Sequence, residues 1–314
     1  MLLPIFHRVV HTIGVMIVVV TLVFAMIHLS GDPLAALIPP GGSESDQQAL
    51  RAKYGLDASI GRQYAEFLRN AARGDFGQSW RFNEPARDVV LNRLPATFEL
   101  VGLSFGLAVL VAIPLGVLAS SGTASLSNSL YYGVSLFGQA VPAFWLGTLM
   151  ILIFAVRLDW VPSSGNQGLR ATILPVLTLA AYPTAVLARM VKASVLEVAR
   201  LDYVRTARAK GLSERAVMFA HVLRNATPPI VAYAGVLAGF LFAGTVVVEW
   251  VFAYPGAGQL ALQSVASRDL PVVLMFVTVT ALIITIANFL ADLISMLIDP
   301  RLRFEYASAG EERR

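Results

Sequence analysis

EVARLDYVRTARAKGLSERAVMFAHVLRNA, from Glu197 to Ala226, is the one long polar interval in the second half of an otherwise apolar chain. With Arg189 and Lys192 just ahead of it, the region holds eight bases (the others are Arg200, Arg205, Arg208, Lys210, Arg215 and Arg224) against three acids, Glu197, Asp202 and Glu214. A basic connection of this length between two membrane spans faces the cytoplasm. Tyr203 to Lys210 reads as a short helix stopped at Gly211, where glycine accepts the left-handed backbone of a helix end. Ser213 is placed to cap a second helix. Ala216, Phe219, Ala220 and Leu223 then recur at i, i+3, i+4 and i+7, which sets one apolar stripe on one face. Helix, glycine break and amphipathic helix together predict a docking element at the membrane surface; an amphipathic helix lying on anionic lipid is the alternative.

Outward from this stretch, the chain reads as a polytopic membrane protein. Of its 314 residues, 56% are hydrophobic and 14% charged, whereas an average soluble chain is about 25% charged. The net charge of +4 sits mainly in the loops expected inside, so it reports orientation and gives no reason to invoke nucleic acid. There is no cysteine, which excludes disulfides, thiolate metal sites and cysteine nucleophiles.

Six hydrophobic stretches are expected to span: Val9 to Leu29, Ala96 to Ala119, Leu130 to Val156, Ala171 to Val191, Pro228 to Val248 and Pro271 to Ile298. The first is too long for a cleaved signal peptide and ends without a small-residue site. The organisation expected is 1–29 for the N-terminus and first span, 30–95 for an external segment, 96–298 for the membrane core with a cytoplasmic loop at 194–226, and 299–314 for a cytoplasmic tail. Residues 30–95 carry eight bases and eight acids, too much charge to enter lipid. Within them Ser59 to Ala72 predicts a helix capped by Ser59, with Ile60, Tyr64, Phe67, Leu68 and Ala71 on one face and Gly74 at its end. The connection Ser120 to Ser129 is expected inside with the basic stretch, and Arg157 to Arg170 and Glu249 to Leu270 outside, so that both termini are cytoplasmic. The fold class is therefore all-α with six transmembrane helices.

Inside the spans, Gly102 and Gly106, and Gly235 and Gly239, stand four apart and are expected to let helices approach closely. Pro114, Pro142, Pro175 and Pro183 predict kinks. Gln139 and Asn288, polar within apolar runs, are candidates for a translocation path, with an interhelical hydrogen bond as the other reading. Asp292 and Arg189 are expected to reach toward the cytoplasmic surface. No Gly-Lys-Ser or Gly-Lys-Thr phosphate loop occurs, so ATP is not held by this chain in the usual cradle. The four histidines, His7, His11, His28 and His221, form no His-Glu-two-residue-His site; His7 and His11 stand one helical turn apart and are expected to be solvated or lipid-facing in preference to sharing a metal, and none sits mid-span to serve a serine nucleophile.

The basic stretch resembles the cytoplasmic loop of ABC-importer permeases, whose motif runs Glu-Ala-Ala, three residues, Gly, nine residues, Ile, one residue, Leu-Pro. With Gly211 at the glycine, Arg205, Thr206 and Ala207 occupy the Glu-Ala-Ala positions, and His221, Leu223 and Arg224 the Ile, Leu and Pro; Ala207, Gly211 and Leu223 match. The departures are those of the dipeptide, oligopeptide and nickel branch, where YVRTARAKGLSE followed by LRNA is the usual wording. Gly31-Asp32-Pro33, Tyr54-Gly55-Leu56-Asp57, Gln63-Tyr64, Gly74 to Ser79 and Arg93 to Thr97 look like that branch's external segment. Val248 to Phe252, Pro255 to Gly258, Arg268 to Val272, Asn288 to Asp292 and Asp299 to Arg303 are similar to its last loop, last span and tail. A long segment between spans one and two looks like the first of the two permeases, the B-type.

This resemblance implies a type I importer fold in a bacterial cell membrane, in contact with lipid. It implies a heterodimer with a homologous second permease, two cytoplasmic ATPase subunits that use ATP and Mg, and an extracytoplasmic solute-binding protein. No cofactor is expected on this chain itself. Arg205, Thr206, Ala207, Lys210, Gly211, Ser213, Glu214, Phe219 and Leu223 are expected to dock the ATPase. Asp75, Phe76, Gly77, Ser79, Trp80, Glu249, Pro255, Gly256 and Gly258 are expected at an external gate or binding-protein contact. Peptides head the expected cargoes, ahead of nickel chelates, glutathione-like thiols and opines. An ion-driven secondary transporter would need embedded carboxylates and usually an internal repeat, and a membrane enzyme would need a catalytic constellation; none is evident.

Overall fold

The computed structural model describes residues 13–22, 24–26, 48, 51, 57–121 and 125–298, and these are helical throughout apart from turns and one isolated bridge, Gln78 with Pro85. In chain order the helices are α1 (Ile13–Met26), α2 (Ile60–Ala71), α3 (Ala86–Leu91), α4 (Leu94–Ser120), α5 (Ser125–Ala140), α6 (Ala143–Met150, running on as a π-helix over Ile151–Arg157) and α7 (Leu169–Ala199). They continue with α8 (Asp202–Ala209), α9 (Glu214–Val251), α10 (Ala257–Ala266) and α11 (Leu270–Ile298). Among the described residues, α3 with α4, α7, α9 and Leu270–Ala291 of α11 are long and apolar enough to cross a bilayer, and α5 and α6 meet that length and composition only as a sharply bent pair, a broken span or a re-entrant loop. The N-terminal span expected from Val9 to Leu29, the family stretches at Gly31 and Tyr54 to Leu56, and the tail after Ile298 lie wholly or partly outside the described residues.

Two compact units divide the chain. The first gathers Met1–Thr97 with Pro255–Ile283. In it Val20 and Phe24 of α1 pack with Trp80 and with Leu270 and Leu274 of α11, and Tyr64, Phe67 and Phe76 close over them. A second cluster joins Ala86, Val89 and Val90 of α3 to Leu260 of α10 and to Val272 and Met275 of α11. Helix α2 lays the expected face inward through Tyr64, Phe67, Leu68 and Ala71, while Ile60 stays exposed. Gly74 follows it with φ +78°. Ser59 does occupy the N-cap position, yet its side chain makes no capping hydrogen bond.

The second unit is Phe98–Tyr254 with Ile284–Arg314. Helix α7 is its axis: 72% of its apolar stretch is buried, against 28–33% for α4, α9 and α11. Around it pack α5, α6 and α9. Backbones come close where glycine allows it. A Cβ on Gly116 would stand 2.7 Å from the Ala188 carbonyl, one on Gly138 2.6 Å from that of Ala181, and one on Gly235 2.0 Å from Ala291 Cβ. Of the two expected glycine pairs, Gly235 and Gly239 are used for such approach, whereas Gly102 and Gly106 have open space before them.

Two expectations are corrected. Leu130 to Val156 is not one straight span: α5 and α6 meet at Val141 and Pro142 with a bend of 110°. Proline lacks the N–H that would bond back to Gly138 and drives the residue before it out of helical torsions, so the helix ends there and restarts. Nor is the helix after Ser213 a separate element. It runs unbroken into the next span as α9, with a π-helical segment over Val217–Leu223 that takes up the change of register.

Candidate functional site

The basic stretch folds as an elbow between α7 and α9. Helix α8 ends at Lys210, Gly211 follows with φ +80°, and the Gly211 N–H bonds the Arg208 carbonyl at 2.9 Å. Only glycine takes that torsion without cost. Ser213 then caps α9, its Oγ accepting from the Ala216 N–H at 3.4 Å. Arg208 Nε reaches across the turn to Glu214 Oε1 at 2.9 Å, and Arg205 pairs with Asp202 at 3.4 Å.

Burial sorts the nine residues expected here. Arg205, Thr206, Lys210, Gly211, Ser213, Glu214 and Phe219 are exposed, and Leu223 is half-buried. Ala207, 6% exposed, is not a surface residue: with Val204 it enters the core formed by Val191 and Val195 of α7 and Val217 and Val222 of α9. The inward positions of α9 are therefore Val217, Val222, Ala226 and Ile230, the first step being five residues because the segment is π-helical. Of the stripe read at helical spacing, Phe219 and Ala220 are exposed, while Ala216 is partly buried and Leu223 packs against that core. Phe219, 59% exposed, forms a shallow depression with Ser213, Arg215 and Ala216. The elbow thus has an apolar root locked into the bundle and an outer face bearing Phe219 among bases.

The external candidates differ among themselves in burial. Asp75 and Gly77 are exposed, the Asp75 carboxylate accepting from the Gly77 N–H at 2.9 Å, and Phe76 and Pro255 are partly buried. Trp80, Ser79, Gly256 and Gly258 are buried in the first unit, and Glu249 is fully buried in the second. These five form no exposed contact surface. What holds the loop is Asp269, 1% exposed, which the sequence marked only as part of the family-like stretch Arg268 to Val272 and not as a site residue: its carboxylate accepts from Ser79 Oγ, from the Trp80 N–H at 3.2 Å and from the Arg81 N–H at 3.3 Å. An acid immediately before an apolar run was the available signal. Thr97 Oγ1 accepts from the Ala257 N–H at 2.9 Å and fixes the start of α10. Beyond the end of α9, burial pushes the Tyr254 hydroxyl above the usual tyrosine range; the Glu99 and Glu249 carboxylates add to this and Thr172 opposes it.

Of the two path candidates, Gln139 sits at the end of α5, its Nε2 donating to the Ser135 carbonyl at 2.8 Å, and lines a cavity of about 320 Å³. Asn288 is exposed, with its Oδ1 close to the open face of Gly239. No cluster of histidine and carboxylate suited to a metal occurs among the described residues.

The described residues thus form an all-helical bundle of apolar spans with a basic, internally anchored elbow. The chain belongs to the family of binding-protein-dependent transport system inner membrane components, whose model matches residues 112–304. It is 34% identical to the oligopeptide transport system permease protein AppB of Bacillus subtilis, over 96% of this chain and 99% of that one. It is 36% identical to the glutathione transport system permease protein GsiC of Escherichia coli K12, over 97% and 100%, and 35% identical to a putative peptide transport system permease of Brucella abortus, over 96% and 99%. Solved structures share the fold: an amino acid ABC transporter (TM-score 0.55, 16% identity, 66% of this chain and 93% of that one) and the inward-facing MetNI methionine ABC transporter (0.54, 19%, 67% and 96%). The protein is a permease subunit of an ABC importer, a multi-pass protein of the bacterial plasma membrane.

Proposed function

We propose that this permease imports peptides, as the B-type partner of a homologous second permease, with two ATPase subunits on the cytoplasmic side and a binding protein outside. The names of the AppB and Brucella relatives support peptides as the cargo class; the similarity to GsiC favours glutathione, itself a short peptide, as the second reading. In this proposal six spans place both termini in the cytoplasm, and ATP and Mg are handled wholly by the partner ATPases.

One observation carries the coupling role: the elbow turns at a left-handed Gly211, and beyond it Ser213, Glu214 and Phe219 stand exposed on a helix that continues into the membrane bundle. Closure of the ATPases would push on that face, and the buried Val204, Ala207 and Val217 would carry the displacement into α7 and α9. Arg205, Thr206, Lys210 and Leu223 complete the docking surface. Gly211→Val tests this. A β-branched residue at φ +80° is strained by about 1–3 kcal/mol, which re-aims the start of α9 and lifts Phe219 from the groove on the ATPase where this proposal seats it. Losing one buried aromatic contact costs roughly 1.5–3 kcal/mol of docking, about ten- to hundredfold in affinity. The variant is expected to insert normally, to co-purify less ATPase and to lose stimulation by loaded binding protein. Wild-type assembly with wild-type coupled uptake would remove the elbow from the transmission path.

A further inference from the structure

Near the elbow, the second unit carries a cation that the coupling role does not use. Lys192 lies on α7, and its Nζ stands 4.2 Å from the ring centroid of Tyr131 and 5.0 Å from that of Tyr132, both on α5. The two rings meet edge to face, 5.2 Å apart, and form two walls around the ammonium. Tyr131 is 6% exposed and belongs to the core that also takes Val191 and Val195 of α7 and Val204 and Val217 of the elbow, whereas Tyr132 is 62% exposed. Lys192 itself is half-buried, and Arg189, one turn before it on the same helix face, is exposed. Among the described residues no carboxylate pairs with either base. The rings attract the charge through their π faces, but the ammonium's N–H groups need lone pairs, and among the described residues Lys192 donates to none.

Depth along the helices says what meets this cation. The 31 residues of α7 rise about 46 Å, and a hydrocarbon core of about 30 Å centred on them leaves roughly 8 Å at either end. Lys192 lies two turns, about 10 Å, before the end of α7, and Tyr132 lies two turns after the start of α5. Both therefore sit where hydrocarbon gives way to headgroups, the level at which tyrosines gather and lysine stems reach for the interface. One turn further into the bilayer on the face of Tyr132 stands Leu136, 68% exposed. A cationic headgroup would find the aromatic cage already filled by the protein's own ammonium. An acyl chain alone would cover Leu136 but bring the ammonium neither acceptor nor counter-charge. An anionic phospholipid supplies all three: phosphate oxygens for the N–H groups, a net negative charge for Lys192 and Arg189, and a chain for the leucine.

We propose that Lys192, framed by Tyr131 and Tyr132, is a binding site for one anionic phospholipid, whose phosphate accepts from the Lys192 ammonium with Arg189 adding charge, while its acyl chain runs along Tyr132 and Leu136. The lipid joins α5 to α7. Because Tyr131 shares its core with Val204 and Val217, the lipid braces the root of the elbow from the membrane side. The site is independent of the cargo.

A photoactivatable phosphatidylglycerol with its diazirine beside the headgroup tests this in the assembled importer, held in phosphatidylcholine nanodiscs, with the labelled peptides of this chain identified by mass spectrometry. The peptides that hold Tyr132 and Lys192 are expected to label, and plain phosphatidylglycerol to suppress that labelling where phosphatidylcholine does not. Lys192→Gln is expected to raise the half-suppressing fraction of phosphatidylglycerol roughly three- to tenfold, the worth of one base against an anionic lipid, and Lys192→Arg to restore it. Melting separates lipid binding from packing within the protein. Phosphatidylglycerol should raise the melting temperature of the wild-type and Lys192→Arg complexes, and raise that of Lys192→Gln by less. Equal suppression by both lipids, no label on the two peptides, or wild-type suppression in Lys192→Gln would each overturn the inference. So would inorganic phosphate suppressing as well as the lipid does, which would identify an anion site open to water. A carbodiimide crosslink from Lys192 to a neighbouring subunit would identify a protein carboxylate as the occupant and overturn it equally. Should Lys192→Gln fail to assemble, the suppression pattern and the crosslink in the wild-type complex decide the matter alone.

Discussion

Asp269 shows how one side chain can hold a loop that its sequence does not otherwise explain. Its buried carboxylate takes donors from Ser79, Trp80 and Arg81, nearly two hundred positions away, and Ser79 Oγ in turn accepts from the Phe82 N–H at 3.0 Å. An amide of the same shape presents an N–H₂ to groups that are themselves donors. Asp269→Asn is expected to cost about 1.5–3 kcal/mol, the usual worth of hydrogen bonds to a charged group. The expected signs are a lower melting temperature in detergent and faster proteolysis within Gly77 to Phe82; wild-type values for both would make the carboxylate dispensable. Residues of this kind were the least legible. Gly211 and Ser213 could be read because a positive torsion and a helix cap are local demands of the backbone. The burial of Trp80, Glu249, Gly256 and Gly258 depends on what arrives from distant segments, and the residues beside them in sequence do not record it.

At the scale of helices, apolar runs located α4, α7, α9 and α11 well, since length and hydropathy are all that a span requires. Their ends were less legible. Helix α7 runs on to Ala199 because the polar residues there coat an outer face while Ser194 and Val195 remain buried, and α9 begins at Glu214 because a π-helical segment lets the chain stay helical through the elbow. Small-residue spacing announced helix contacts without saying which faces would be used. Gly235→Val and Gly106→Val separate the two cases. The first drives a side chain into Ala291, where even a Cβ would lie 2.0 Å away, and should part α9 from α11, cutting yield and lowering the melting temperature. The second enters open space and should leave the isolated subunit unchanged. Equal melting of the two variants would show that the α9–α11 contact yields freely.

For the whole molecule, the expected sidedness can be tested on a background free of native thiols in this chain. Ser213 is exposed and suits the inner side. On the outer side Ser264 is 1% exposed and would not react wherever it lay, so the informative position on α10 is Val265, 57% exposed. A thiol at Val265 should label with an impermeant reagent in intact cells, and one at Ser213 only after permeabilisation. Labelling of Ser213 from outside would invert the topology. If the inner placement holds, the length of α9 has a mechanical meaning. Its 38 residues rise about 57 Å at 1.5 Å each, so one rod reaches from the basic elbow past the cavity to Val251. A tilt of only about 5° about one end of such a rod carries the other end roughly 5 Å, nearly the pitch of a helical turn. An ATPase gripping Phe219 would therefore work a long lever arm, and a small rotation there would be enough to shift Leu237 and Leu241, which line the cavity beside Gln139.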